Sequence, residues 1–253
     1  MTLSPADLAK YAAAAGALDL VEPGMKLGLG TGSTAEWLVR LVARHTAART
    51  LLCVPTSRRT AELARALGLR VEDLDRAGAL DLVIDGTDEV DPAFDLIKGG
   101  GGAHLHEKIV AASAARMVVI ADASKRVAQL GAFALPVEVI AFGAAGTLGR
   151  IARALAPLGL GASAIALRGG GAFRTDEGNH VADIACGAIP DARALAAALA
   201  AVPGVVEHGL FLGMCDTVVI GAPDGAFTRE GRDGARVAGR ADPARAADLL
   251  AAG

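Results

Sequence analysis

Three short apolar runs in this chain each deliver a loop rich in glycine or aspartate, and that recurrence narrows the folds open to it more than any other feature. The loops are Gly28-Leu-Gly-Thr-Gly-Ser-Thr34, Asp85-Gly-Thr-Asp88-Glu-Val-Asp91 and Lys98-Gly-Gly-Gly-Gly-Ala-His-Leu-His-Glu107-Lys108. Strands alternating with helices of ordinary length build a mostly parallel sheet with helices on its faces. Such a sheet places its ligands at the carboxyl ends of its strands.

The pattern predicts a helix from Ser4-Pro5 to about residue 20, with serine as N-cap, proline in the first turn and Asp7 favouring the helix start. Strands are expected over 26–29, 51–54, 70–74, 80–84 and 117–121, helices over 34–44, 57–67 and 107–115, and an extended piece at 94–97. After residue 131 the order becomes strand 135–140, helix 147–158, strands 163–167 and 180–186, helix 191–201 and strand 205–208. That βαββαβ order is the signature of a ferredoxin-like domain. A strand at 216–220 can rejoin the first sheet, and the charged, glycine-bearing tail from Gly225 ends in a short helix opened by Asp242-Pro243. The expected fold class is therefore α/β. A Rossmann-like, mostly parallel sheet domain covers 1–131 plus 209–253, and a smaller ferredoxin-like α+β domain covers 132–208.

Composition removes several function classes. Net charge is −3 with no basic cluster, and aromatic residues make up 3% of the chain, which argues against nucleic acid as a partner. No apolar run reaches the ~18 residues of a membrane span. The N-terminus lacks a basic stretch followed by an apolar one, and Cys53, Cys186 and Cys215 are odd in number and widely spaced. A cytoplasmic location with reduced thiols is expected.

The first loop has backbone N–H groups and the Ser33 and Thr34 hydroxyls at a helix start, a setting that binds anions. It lacks the third glycine of a dinucleotide fingerprint and the lysine of a P-loop, so a single phosphate suits it better than a nucleotide. Asp85 and Asp88 could bind sugar hydroxyls, set the charge of a nearby lysine, or hold Mg²⁺. A solvated acidic turn is the plainer alternative. Lys98 and Glu107 carry more weight. Four glycines in a row weaken any fold that does not use them, and they let the backbone approach a ligand. His104 and His106 offer two metal ligands and no third is evident, so no metal is expected. Lys125, in Ala121-Asp-Ala-Ser-Lys125, follows another buried strand.

Taken in order, these motifs resemble the type A ribose-5-phosphate isomerases. The matching residues are Thr31-Gly-Ser-Thr34, Asp85-Gly-Thr-Asp88-Glu, Lys98-Gly-Gly-Gly-Gly, Glu107-Lys108-Ile109 and Ala121-Asp-Ala-Ser-Lys125, with Leu135-Pro-Val-Glu-Val-Ile140 and Gly221-Ala-Pro-Asp-Gly225 further on. The resemblance implies metal-free, cofactor-free interconversion of ribose 5-phosphate and ribulose 5-phosphate through a cis-enediolate, in the non-oxidative pentose phosphate pathway. It implies Glu107 as the general base, with Asp85, Asp88 and Lys98 assisting ring opening or stabilising the enediolate. Thr31, Gly32, Ser33 and Thr34 would hold the phosphate with Lys10 near it, and Gly86, Thr87, Gly99, Gly100, Gly101 and Lys125 would contact substrate. It also implies a homo-oligomer, dimer or tetramer. His106 stands where the family commonly has arginine, and Glu177 where it commonly has asparagine.

Two other functions fit parts of the pattern. A non-catalytic sugar-phosphate sensor would need no base, and no helix-turn-helix or basic patch accompanies the motifs. A hydrolase or deaminase of amino-sugar phosphates would need a further acid–base set, and none can be placed.

Overall fold

The computed structural model describes residues 3–251; residues 1, 2, 252 and 253, expected at the two ends of the first domain, lie outside the described residues. The first helix, Pro5–Leu18, is capped by Ser4, whose Oγ accepts from the Asp7 amide at 3.1 Å. Its buried face is almost all alanine (Ala9, Ala12, Ala13, Ala14 and Ala17), which brings the helix backbone close to what it covers. Opposite lies the strand Thr217–Gly221, where a Cβ on Gly221 would stand 2.0 Å from the Ala9 carbonyl oxygen.

Packing divides the chain into two compact units. One comprises residues up to Thr87, His106–Lys125 and Met214 onward; the other comprises Asp88–Leu105 and Arg126–Gly213. The first holds a seven-stranded sheet in the order Arg236–Arg240, Ala226–Gly231, Thr217–Gly221, Met117–Asp122, Leu82–Gly86, Lys26–Leu29, Leu52–Pro55. From Thr217–Gly221 to Leu52–Pro55 all neighbours are parallel, and the remaining two strands add antiparallel. Leu27, Leu29, Leu82, Ile84 and Ile120 are fully buried in its core, and the Tyr11 and Trp37 rings meet edge-on at 5.7 Å.

The second unit holds an antiparallel sheet in the order Val205–His208, Leu135–Val139, His180–Ala185, Ala164–Leu167, with helices Ala144–Leu155 and Ala192–Ala200. In chain order that is 4-1-3-2, the arrangement a βαββαβ sequence produces. Ile151, Leu155, Leu195 and Leu199 of the helices share a core with Val137, Val139 and Ile184 of the strands. A small antiparallel sheet, Leu210–Phe211 with Leu96–Ile97 with Glu89–Val90, belongs to the same unit. The buried Glu89 carboxylate accepts from the Gly131 amide at 2.7 Å and the Phe133 amide at 2.5 Å. These bonds group 88–105 with the second unit, whereas the sequence pattern cuts at 131 and 208.

Local departures have local causes. The expected strand at 70–74 is reduced to one bridge, Val71 to Cys53, because Asp73 starts the short helix Leu74–Ala77. Phe94 at φ 63° interrupts the extended piece at 94–97. Helix His104–Ala112 begins three residues before Glu107, so the glutamate sits inside its first turn. The tail forms a hairpin, and its signal was Asp233-Gly234: the Asp233 Oδ1 accepts from the Ala235 amide at 3.0 Å and Gly234 takes φ 85°. Among the described residues no helix is long and apolar enough to cross a membrane.

Burial pushes the Cys53 and Cys215 thiols up to about 12 and Cys186 up to about 11, so none is a thiolate near pH 8. Native protein should react slowly with a thiol-specific chromogenic reagent and denatured protein promptly; fast native reaction would contradict this burial. Gly221→Ala should cost about 1–3 kcal/mol by overpacking two backbones, lowering Tm by roughly 2–10 °C. An unchanged calorimetric Tm would refute the close approach.

Candidate active site

At the carboxyl end of Lys26–Leu29, Gly30 faces Asp85: a Cβ there would lie 2.0 Å from the Asp85 Oδ1. Without it, the carboxylate accepts from the Thr31 amide at 3.0 Å and from its neighbour Gly86 at 2.7 Å, both on Oδ1. One buried carboxylate oxygen thus ties the first loop to the second. Charge-assisted bonds of this kind are the stronger ones. The Thr31 hydroxyl turns inward, within 2.7 Å of Thr56 Oγ1, 2.8 Å of Ser57 Oγ and 3.2 Å of Thr60 Oγ1. Thr60 in turn donates to the Gly30 carbonyl at 3.0 Å. Gly32, at φ 107°, turns the chain into helix Ser33–Ala43 and offers no capping side chain. The first-turn amides therefore lack intrahelical acceptors, with Ser33 exposed and Thr34 half-buried beside them.

Asp88, Lys98 and the glycine loop belong to the second unit. Asp88 donates its amide to the Ile97 carbonyl at 2.9 Å and accepts from the Gly100 amide on Oδ2 at 2.7 Å. Lys98 is 2% exposed; its amide bonds the Gly209 carbonyl at 2.9 Å and its Nζ lies 5.5 Å from the centre of the Phe211 ring. A cation over an aromatic face is favourable, more so when desolvated. Gly99 takes φ 107°, and a Cβ there would meet the His104 ring at 2.8 Å. Gly101 is exposed.

Glu107 is 5% exposed, in the first turn of its helix, where the dipole favours a carboxylate. Lys10 is half-buried on the first helix, and Lys125 is half-buried at the end of the turn Ala123–Lys125. Gly86 and Thr87 are half-buried at the end of Leu82–Gly86. His104 is buried, whereas His106 lines a hollow of about 490 Å³ with Pro55, Arg58, Arg65 and Ile109. An apolar hollow of about 340 Å³ lies between the first helix and the end of Met117–Asp122. None of the residues proposed from the sequence lines either hollow. Among the described residues no group of three His, Cys, Asp or Glu side chains is placed to hold a metal ion. The sequence reading missed the buried hydroxyl cluster of Thr56, Ser57 and Thr60; its only signal was the run Thr56-Ser57 at a strand end.

The family model for ribose 5-phosphate isomerase A (phosphoriboisomerase A) matches residues 52–225. The chain belongs to this family. Ribose-5-phosphate isomerase A of Roseobacter denitrificans is 56% identical over 227 residues, covering 88% of this chain and 87% of that protein. A Cereibacter sphaeroides relative with the same name is 52% identical over 254 residues, covering 98% and 97%. Among solved structures, a D-ribose-5-phosphate isomerase in complex with phospho-erythronic acid has a TM-score of 0.79 at 30% identity, covering 94% of this chain and all of that one. Ribose 5-phosphate isomerase A of Methanocaldococcus jannaschii has a TM-score of 0.77 at 35% identity, with coverage of 94% and 100%. Asp85, Asp88, Lys98, Glu107 and Lys125 all fall inside the matched segment, while Lys10 and the first loop precede it.

Thr31→Val preserves shape but removes the shared partner of three hydroxyls. It should cost about 1–3 kcal/mol, read as a lower midpoint in urea; an unchanged midpoint would show that the cluster does not stabilise the loop.

Proposed function

We propose that the chain interconverts D-ribose 5-phosphate and D-ribulose 5-phosphate as an aldose–ketose isomerase, with Glu107 as the base. Membership of the family over most of the chain supports this reading, and the observation that carries it residue by residue is the buried Glu107 carboxylate in a helix first turn directly after the Lys98 glycine loop. In the open-chain aldose Glu107 takes the C2 proton, the electron pair moves into a C1–C2 double bond, and the carbonyl oxygen at C1 becomes an oxyanion. The same carboxyl returns the proton to C1, and the hydrogen on O2 passes to the O1 oxyanion as the C2 carbonyl forms, so that a C1 hydroxyl replaces the aldehyde. One group that both takes and gives the proton needs an environment favouring the developing negative charge.

Lys98 supplies the cation for that oxyanion. Asp88 and Lys98 assist ring opening, and Asp85 holds the loop geometry as well as facing the sugar hydroxyls. The amides and hydroxyls at Gly32, Ser33 and Thr34 bind the phosphate, with Lys10 near it and Lys125 on the substrate. Thr31 shapes the loop, because its amide and hydroxyl both have intramolecular partners. Gripping a phosphate remote from C1 and C2 positions the reacting carbons. We further propose a cytoplasmic homo-oligomer that uses neither metal nor cofactor. The related structure in complex with phospho-erythronic acid supports a phosphorylated sugar acid as a ligand of this chain.

Glu107→Gln should lower kcat by about 10²–10⁴-fold while calorimetry still detects ribose 5-phosphate binding. Near wild-type turnover would overturn the assignment of the base. In D₂O with EDTA, ¹H NMR should show ribulose 5-phosphate appearing with deuterium at the exchanging carbon; turnover abolished by EDTA would overturn the metal-free mechanism. Ser33→Ala with Thr34→Ala should raise KM roughly tenfold with kcat nearly unchanged, the pattern of lost uniform binding. An unchanged KM would remove the phosphate role of this loop.

A further inference from the structure

We propose that Arg168 is a positioning residue for the isomerisation: it clamps the backbone of the tetraglycine loop and thereby fixes the loop that carries Lys98. This rests on the isomerase reading above. A run of four glycines is the most mobile backbone a chain can offer, and ordering it costs the most conformational entropy. A loop of that kind serves catalysis only if something outside it imposes one shape.

Arg168 supplies that constraint through its whole guanidinium. Its Nε donates to Asp183 Oδ2 at 2.9 Å and its Nη2 to Asp183 Oδ1 at 2.5 Å, a two-point bond that sets the plane of the group. The remaining nitrogen, Nη1, donates to two successive loop carbonyls, Gly99 at 3.0 Å and Gly100 at 3.1 Å. Phe173 packs against the guanidinium, its ring centre 5.3 Å from Cζ, and its edge fills the space above Gly102, where a Cβ would come within 2.4 Å. Gly169 and Gly170, at φ 59° and 62°, make the tight turn that lets Arg168 and Phe173 bear on the same loop.

From the other side Asp88 Oδ2 accepts from the Gly100 amide, and the Gly102 amide closes onto the Gly99 carbonyl at 2.9 Å. The peptide groups around Gly100 are therefore held by an anion at the amide and a cation at the carbonyls. Lysine cannot substitute: a point charge with three donors does not span a carboxylate and two carbonyls in one plane.

The test compares Arg168→Lys and Arg168→Gly with wild type in ribose 5-phosphate kinetics and in amide hydrogen exchange over Gly99–Gly102. Arg168→Lys should lower kcat by about 10²-fold, the cost of a misplacement of order 1 Å, with KM changed less than about threefold because phosphate binding is separate. Loop amides should exchange faster while those of strand His180–Ala185 keep their protection. Added ethylguanidinium should restore part of kcat to Arg168→Gly, and ethylamine should not. Phe173→Leu, which leaves the Arg168–Asp183 pair intact, should give a smaller loss of the same kind. Wild-type kcat in these variants would overturn the proposal. So would a loss that guanidinium does not rescue and that comes with faster exchange throughout the second unit. If the wild type itself fails to isomerise, the isomerase reading falls, and unchanged loop exchange in the variants would separately dismiss the clamp.

Discussion

The first unit depends on an absent side chain. Gly30 has no Cβ, and the Asp85 carboxylate occupies that space at the carboxyl ends of two interior strands of the sheet. Because Leu29 and Ile84 are in register on neighbouring strands, the loops that follow them start side by side, and one Asp85 oxygen receives an amide from each. A substitution at Gly30 would push a buried charge out of two bonds at once, and leaving it under-satisfied is costly. The inward Thr31 hydroxyl, the turn at Gly32 and the bare helix start at Ser33 all follow from that junction.

A comparable logic governs the glycine loop in the second unit, with opposite chemistry. There the backbone is unrestrained by its own sequence, and charged side chains from outside shape it. Asp88 takes an amide, Arg168 takes two carbonyls, and His104 and Phe173 stand where side chains on Gly99 and Gly102 would be. The glycines are needed because those neighbours are so close. The neighbours are needed because glycine alone would not hold a shape.

Much of this was legible in the sequence because it is local. Ser4-Pro5 announced a capped helix, and apolar runs at 26–29, 80–84 and 117–121 announced the parallel strands Lys26–Leu29, Leu82–Gly86 and Met117–Asp122, whose ends carry the loops. The βαββαβ order gave the smaller sheet. The motifs identified the loops of interest and placed a glutamate after four glycines. The strand expected at 70–74 failed because Asp73 favours a helix start. The membership of 88–105 was hidden because it rests on Glu89 bonding amides more than 40 positions away, at Gly131 and Phe133. The role of Arg168 was hidden for the same reason: nothing local links it to Gly99, 69 positions earlier. Long-range partners of charged groups are where pattern reading stops.

The hairpin Ala226–Gly231 with Arg236–Arg240 lies beyond the segment that the family model matches, which ends at residue 225. Without it, Thr217–Gly221, a run of Val-Val-Ile, would be the last strand of the sheet on that side, with one row of backbone donors and acceptors open to any extended chain. The hairpin ends the sheet instead on a strand that begins and ends in arginine and alternates small or exposed residues, a poor template for further pairing. What looked in the sequence like a charged appendage is therefore a cover for the open side of Thr217–Gly221, and it also brings Phe227, Ala246 and Leu249 to the core of the first unit.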